Sequence, residues 1–94
     1  MILENKRKVE GGKFARIKLE VEGNSLKDVK ITGDFFLYPE ETLEKIELSL
    51  RGMKIPFDAA RVEKKIGKVI EEENAELVGI TAKDIAEMIG ECLN

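Results

Sequence analysis

Residues 13–22 read Lys-Phe-Ala-Arg-Ile-Lys-Leu-Glu-Val-Glu, and their pattern is the clearest indication of the fold. Apolar and charged side chains alternate strictly along most of it, which is typical of a β-strand with one buried and one solvated face. Gly23-Asn24 follows and favours a tight turn, because both residues accept positive φ. Residues 26–33 resume the alternation, with Val29 and Ile31 inward and Lys30 and Thr32 outward. The sequence therefore predicts a β-hairpin.

A third strand is predicted over residues 2–9, ahead of a turn at Gly11-Gly12. Two strands alone would be unstable, so a three-stranded antiparallel meander is the simplest sheet.

Three helices are predicted in the rest of the chain. Pro39 is expected in the first turn of the first helix, which Gly52 ends. Asp58 is expected to be the N-cap of the second helix, and Thr81 with Asp84 resembles a capping box before the third. Leu77-Val78-Gly79-Ile80 is expected to be a short connection. The apolar stripes are Leu43, Ile46 and Leu50; then Val62, Ile66, Val69 and Ile70; then Ile85, Met88, Ile89 and Leu93.

The predicted order β-β-β-α-α-α defines the fold class as α+β, a three-stranded antiparallel sheet followed by three helices packed on one face. A chain of 94 residues accommodates one core, so residues 1–94 are expected to form a single domain. So small a core is marginal alone, which favours a permanent partner.

Composition and charge limit the classes of function that the chain can have. The net charge is -3, with eight Lys/Arg against five Asp/Glu in residues 1–30 and eight against fourteen afterwards. A nucleic-acid binder is normally basic overall, so no nucleic-acid partner is expected. No apolar run approaches the length of a membrane helix, and the start of the chain is not a signal peptide, so a cytoplasmic location is expected. Abundant Lys and Glu without Gln resembles a thermophile's composition.

The residues of a complete enzyme are missing from the sequence. There is no His, the usual general base and commonest metal ligand. Cys92 lacks a His partner and is expected to fill space. The spacing of a P-loop is absent from Gly11-Gly12-Lys13. We interpret two runs of charge as solvated surface, namely Lys6-Arg7-Lys8 and Glu71-Glu72-Glu73. We therefore predict no catalytic, cofactor-binding or metal-binding residue in this chain.

The segment Gly33-Asp34-Phe35-Phe36 is the candidate partner-binding site. Three of the five aromatic residues lie within positions 35–38. Adjacent aromatics cannot both point into one side of a strand. Phe35 shares the phase of Ile31 and is expected to anchor the turn in the core, so Phe36 is expected to meet a partner. The alternative is that the aromatic cluster closes the core where sheet meets helix.

From Gly12 onward the sequence resembles the C-terminal accessory domain of lipoate–protein ligases. The likeness rests on Gly-Lys-x-x-x-Ile-x-Leu-x-Val, on Val29-Lys-Ile31, on Gly33-Asp34-Phe35-Phe36 before an acidic helix, and on Gly79-Ile80-Thr81 before the last helix. The resemblance implies a fold shared with iron–sulfur scaffold proteins, but those need several cysteines and this chain has one.

The family's organisation implies the partners. A large catalytic domain holds ATP, Mg and lipoate, makes lipoyl-adenylate and passes the lipoyl group to a lysine of an acceptor domain. Some archaea encode the accessory domain separately, and this chain is expected to be that form. It would then be non-catalytic alone, form a heterodimer with the catalytic large subunit and meet lipoyl acceptor domains transiently. The alternative is a ligase-independent adaptor or carrier that kept the fold.

Overall fold

The computed structural model describes residues 1–9, 11 and 13–93. The elements, in chain order, are β1 (Ile2–Lys8), β2 (Phe14–Glu22), β3 (Ser25–Gly33), β4 (Phe36–Tyr38), α1 (Thr42–Leu50), α2 (Ala59–Glu72), β5 (Glu76–Val78) and α3 (Ala82–Leu93).

The main sheet is the predicted meander. Its strand order is β1-β2-β3 and both pairings are antiparallel. Gly23, at φ 60°, lies in the turn between β2 and β3. Inward side chains of β2 and β3 are buried, namely Ala15, Ile17, Leu19, Val29 and Ile31. The alternation of apolar and polar residues in the sequence thus corresponds to one apolar and one polar face of the sheet.

The helices cover the apolar face, which confirms the predicted α+β class. Helix α1 contacts β3, α3 contacts β1 and β2, and α2 contacts the other two helices. Asp58 caps α2 as predicted, with its carboxylate accepting the N–H of Arg61 at 2.8 Å. Thr81 and Asp84 form the predicted capping box, since each side chain accepts the other residue's backbone N–H at 3.0 Å.

The first helix begins later than predicted. Pro39 was expected in its first turn, but α1 starts at Thr42. The residues before it form a turn, in which the N–H groups of Thr42 and Leu43 donate to the carbonyls of Pro39 and Glu40, both at 3.1 Å. These short-range bonds satisfy the backbone there without α-helical geometry, so proline preceded the helix rather than opening it.

The predicted connection at residues 77–80 was also wrong, because Leu77 and Val78 belong to β5. This strand pairs antiparallel with β4 to form a separate two-stranded ribbon. The turn predicted at Gly11-Gly12 lies partly outside the described residues: Gly11 is in a turn at φ 92°, and Gly12 is not described.

Candidate partner-binding surface

The ribbon formed by β4 and β5 has an apolar side that faces solvent. Phe36 lies opposite Val78, and Tyr38 lies opposite Glu76. The side chains of Phe36, Tyr38 and Val78 are 68%, 76% and 49% exposed, whereas Leu37 between the two aromatics is buried. We call Phe36, Tyr38 and Val78 the ribbon face. Grouped exposure of large apolar side chains is typical of a surface that contacts another protein.

Packing beneath the ribbon holds it in place. A two-stranded ribbon is marginal by itself in water. Leu37 belongs to the hydrophobic core, and Leu77, directly opposite it, packs against that core. Helix α1 contacts β4 as well. The ribbon that carries the ribbon face is therefore supported by the hydrophobic core and by α1.

The predicted site residues Gly33 and Asp34 form the link between the main sheet and the ribbon. The N–H of Asp34 donates to the carbonyl oxygen of Phe14 at 2.9 Å. A Cβ atom at position 33 would overlap that same carbonyl, so the close approach requires glycine. The side chain of Asp34 makes no hydrogen bond to a backbone N–H group within the described residues. The main chain of Asp34 makes the contact, and its side chain is exposed.

Phe35 and Phe36 take the two orientations that the sequence predicted. Phe35 is half-buried and packs against the core, whereas Phe36 is exposed. Strand β3 ends at Gly33 and Phe36 begins a different strand, yet Ile31 and Phe35 each lie inward between two exposed neighbours. Phe35 therefore has the inward phase of Ile31, as predicted, and Phe36 has the outward phase.

Two members of the ribbon face were not among the predicted site residues. Tyr38 was counted in the aromatic cluster without a role, and Val78 was placed in a connection. The signal for Val78 was weak, since a three-residue strand is too short for periodicity to reveal. The structure brings Val78 opposite Phe36 although 41 positions of sequence lie between them.

The basic run Lys6-Arg7-Lys8 does not act as one unit. Arg7 turns toward α3 and pairs with Glu87 and Glu91, in both cases at 3.0 Å. The hydrogen bond to Glu87 raises the pKa of Arg7, although burial opposes it. Lys6 and Lys8 occupy the opposite, exposed side of β1. Arg7 therefore ties strand to helix, and only its neighbours remain at the solvated face.

Groups that could perform chemistry are sparse in the part of the chain that the structure describes. No group of three or more His, Cys, Asp or Glu is arranged there to hold a metal ion. Burial raises the pKa of the Cys92 thiol, and the charge of Glu91 adds to the effect. Cys92 is thus a poor nucleophile at neutral pH. No helix in the described ranges is long and apolar enough to cross a bilayer.

Fold and surface together define a class: a small α+β domain with an exposed apolar ribbon. A family model described as the C-terminus of bacterial lipoate protein ligase matches residues 2–89. The chain belongs to that family, as the resemblance in its sequence predicted.

A similar sequence and a similar solved chain both come from Thermoplasma acidophilum. The lipoate-protein ligase A subunit 2 of that organism is 45% identical over 40 residues, a match that spans 43% of this chain and 43% of that protein. This match therefore covers less than half of the relative's length. A solved chain, from a structural analysis of an archaeal lipoylation system comprising a bi-partite lipoate protein ligase and its E2 lipoyl domain, has a TM-score of 0.76 at 25% identity. The superposition covers 95% of this chain and 94% of that one.

Proposed function

We propose that this chain is the accessory subunit of a two-chain lipoate–protein ligase and acts as a cytoplasmic heterodimer with a separate catalytic subunit. The family match and the likeness to a chain of a bi-partite archaeal ligase support the proposal. In this proposal the catalytic subunit holds ATP, Mg²⁺ and lipoate and makes lipoyl-adenylate. Acceptor proteins are then lipoylated on a lysine by the pair.

The ribbon face is the observation that carries the proposal. Three large apolar side chains lie together in water on an element supported from below, and covering them with a partner would remove that surface from water. Aromatic residues are also common anchors of protein interfaces. Gly33, Asp34 and Phe35 contribute by shaping the turn that positions Phe36, so the predicted partner-binding segment acts as a unit with the ribbon.

This chain supplies a binding surface, and the reacting groups are assigned to its partner. The sequence has no His, and its single cysteine has a raised pKa. We therefore expect calorimetry to find no ATP binding by the chain alone tighter than about 100 μM, which corresponds to about 5.5 kcal/mol. Tighter binding would count against an accessory role.

Reconstitution tests the proposal directly. The chain, the catalytic subunit and both together are each incubated with ATP, Mg²⁺ and lipoate, and lipoyl-adenylate is quantified by mass spectrometry. We expect product from the mixture well above that from either protein alone, together with co-elution as a 1:1 complex in gel filtration. Separate elution at micromolar concentration, with product formation independent of this chain, would favour the adaptor alternative.

A further inference from the structure

The solvent face of the main sheet carries a block of positive charge. In the register of the three strands, Lys6 lies opposite Arg16, and Lys18 lies opposite Lys30. All four side chains are exposed. We call Lys6, Arg16, Lys18 and Lys30 the basic block. Since directly opposite residues of an antiparallel sheet point to the same side, the four charges lie close together.

This arrangement disfavours folding, because like charges directly opposite each other repel. Within residues 1–9, 11 and 13–93, none of the four makes an ion pair inside 4 Å. Other basic residues are compensated: Lys27 pairs with Glu22 at 3.0 Å, and Arg51 pairs with Asp28 at 3.1 Å. Neighbouring carboxylates such as Glu4, which lies opposite Lys18, offset part of the repulsion in the basic block, and a negatively charged partner would relieve the rest.

Carboxylates border the block and limit what can bind there. Glu4 lies opposite Lys18, and the next row along the sheet contains Glu20 opposite Asp28. A uniformly anionic polymer such as nucleic acid would meet these carboxylates as well as the lysines. A folded protein can place acidic side chains over the block and other groups over its border. The mixed pattern of charge therefore favours a protein partner.

A shallow depression of mixed charge lies next to the block. It has a volume of about 290 Å³ and is lined by Ile2, Lys18, Leu19, Glu20, Asp28 and Lys30. Two of the four basic residues therefore lie at its wall. Its wall also carries the carboxylates of Glu20 and Asp28, so the depression suits an apolar or neutral side chain packed against Ile2, while an acidic side chain of the partner pairs with Lys18 and Lys30 at its edge.

We propose that the basic block is a docking site for an acidic surface of the acceptor protein that receives the lipoyl group. The inference rests on the proposed function and extends it to a second surface. A permanent subunit contact is expected to be apolar, as the ribbon face is. A charged, exposed face speeds encounters and releases its partner readily, which suits an acceptor that must arrive and leave. The two contacts also belong to different sheets.

The test uses the reconstituted pair of subunits and, as the probe, the unlipoylated E2 lipoyl domain of the same organism. The variant carries Lys18→Gln and Lys30→Gln, and the matched control carries Lys64→Gln and Lys68→Gln, two exposed lysines of α2. Both variants lose the same charge. Removing a repelling pair should not destabilise the sheet, and a thermal melt checks that the fold is kept.

For the Lys18 and Lys30 variant we expect KM for the lipoyl domain to rise about tenfold at low ionic strength, and the rise to vanish near 0.5 M salt. Lipoyl-adenylate formation and kcat should stay unchanged, and the control should behave as the parent protein does. An unchanged KM with normal lipoyl-adenylate formation would overturn the docking site while leaving the proposed function intact.

Three other results would also overturn the docking site. A defect in lipoyl-adenylate formation that excess variant restores would assign the block to the catalytic subunit. Oligonucleotide binding that the substitutions abolish, with KM unchanged, would assign it to nucleic acid. Concentration-dependent self-assembly that they abolish would assign it to a second copy. Failure of the parent pair to form lipoyl-adenylate would refute the proposed function, and the docking site with it.

Discussion

The side chain of Glu47 in α1 accepts a hydrogen bond from the backbone N–H of Ile31 in β3, at 2.8 Å in the protein interior. Strand β3 is an edge of the main sheet, so its outward N–H groups have no neighbouring strand to bond. Helix α1 packs beside β3 and supplies an acceptor at that point. One carboxyl group thereby covers part of a sheet edge and fixes the helix to it.

Glu47→Ala should therefore destabilise the fold. It leaves the buried N–H of Ile31 without an acceptor, which typically costs about 1–3 kcal/mol. Glu47→Gln keeps an acceptor oxygen on a side chain of the same length and should cost less than about 1 kcal/mol. Urea denaturation of the two variants measures the difference. Equal losses would mean that the charge of Glu47, rather than its hydrogen bond, stabilises the contact.

Local patterns in the sequence predicted much of the fold. The alternation in residues 13–22 fixed the buried face of β2, and Asp58 and Thr81 marked two helix starts through bonds that span three residues. Contacts between distant residues were not predictable in this way. Val78 lies opposite Phe36, and Glu47 bonds to Ile31, only in the folded chain. Sequence periodicity indicates regular spacing within one helix or strand, so it does not indicate either of these long-range pairs. The same limit explains why Val78 was missing from the predicted site.

Thr42 in the first turn of α1 offers a test of a buried polar group. Its side chain is fully buried, and its hydroxyl has no hydrogen-bond partner among the described residues. Thr42→Val removes the unpaired hydroxyl with little change in shape and should stabilise the protein by about 1 kcal/mol. Thr32→Val, at an exposed site on β3, is the control and should change little. A loss of stability in Thr42→Val would show that the hydroxyl is satisfied in solution.

Gly33→Ala should destabilise the turn that leads to the ribbon. The added Cβ meets the backbone carbonyl of Phe14, which cannot move without disturbing β2. Backbone strain of this kind costs about 1–3 kcal/mol. Gly67→Ala is the matched control, because a Cβ at this position in α2 meets nothing within 4 Å. There alanine should stabilise the helix by about 0.5–1 kcal/mol. Opposite shifts in melting temperature are expected, and a stabilised Gly33→Ala would contradict the close approach.

The contact between β1 and α3 should weaken in acid. Hydrogen bonds from Asn5 and from Arg7 lower the pKa of Glu91 below its ordinary value of 4.5. A carboxyl group with a lowered pKa in the folded state favours folding above its ordinary pKa, and this contribution is lost as pH falls through the lowered value. Glu91→Gln should thus reduce the melting temperature at pH 7, and the difference from the parent should shrink below about pH 4.5. A difference that stays constant down to pH 2 would exclude ionisation of Glu91 as its cause.

Substitutions of Phe36 and of Phe35 should have different effects, the first on partner binding and the second on stability. Phe36 is 68% exposed, so Phe36→Ala removes little from the core of the isolated domain. If the ribbon face meets the catalytic subunit, the loss of an aromatic anchor weakens the complex by more than about 1 kcal/mol, and by at least about 2 if Phe36 is a hot spot. Isothermal titration measures this change, and a thermal melt confirms that the domain stays folded.

Phe35→Ala is the complementary variant, because this side chain packs against the core and beside Gly79. Its truncation should cost about 2 kcal/mol, which is less than a fully buried Phe would lose. For a domain of this size that lowers the melting temperature by about 8–16 °C. Leu48→Ala, at a 52% exposed leucine on α1, is the control for simple loss of exposed apolar surface and should leave binding unchanged. If Phe36→Ala unfolds the domain while Phe35→Ala only weakens the complex, the roles are reversed. If both lower stability and neither changes affinity, the aromatic cluster serves the core and the catalytic subunit binds elsewhere.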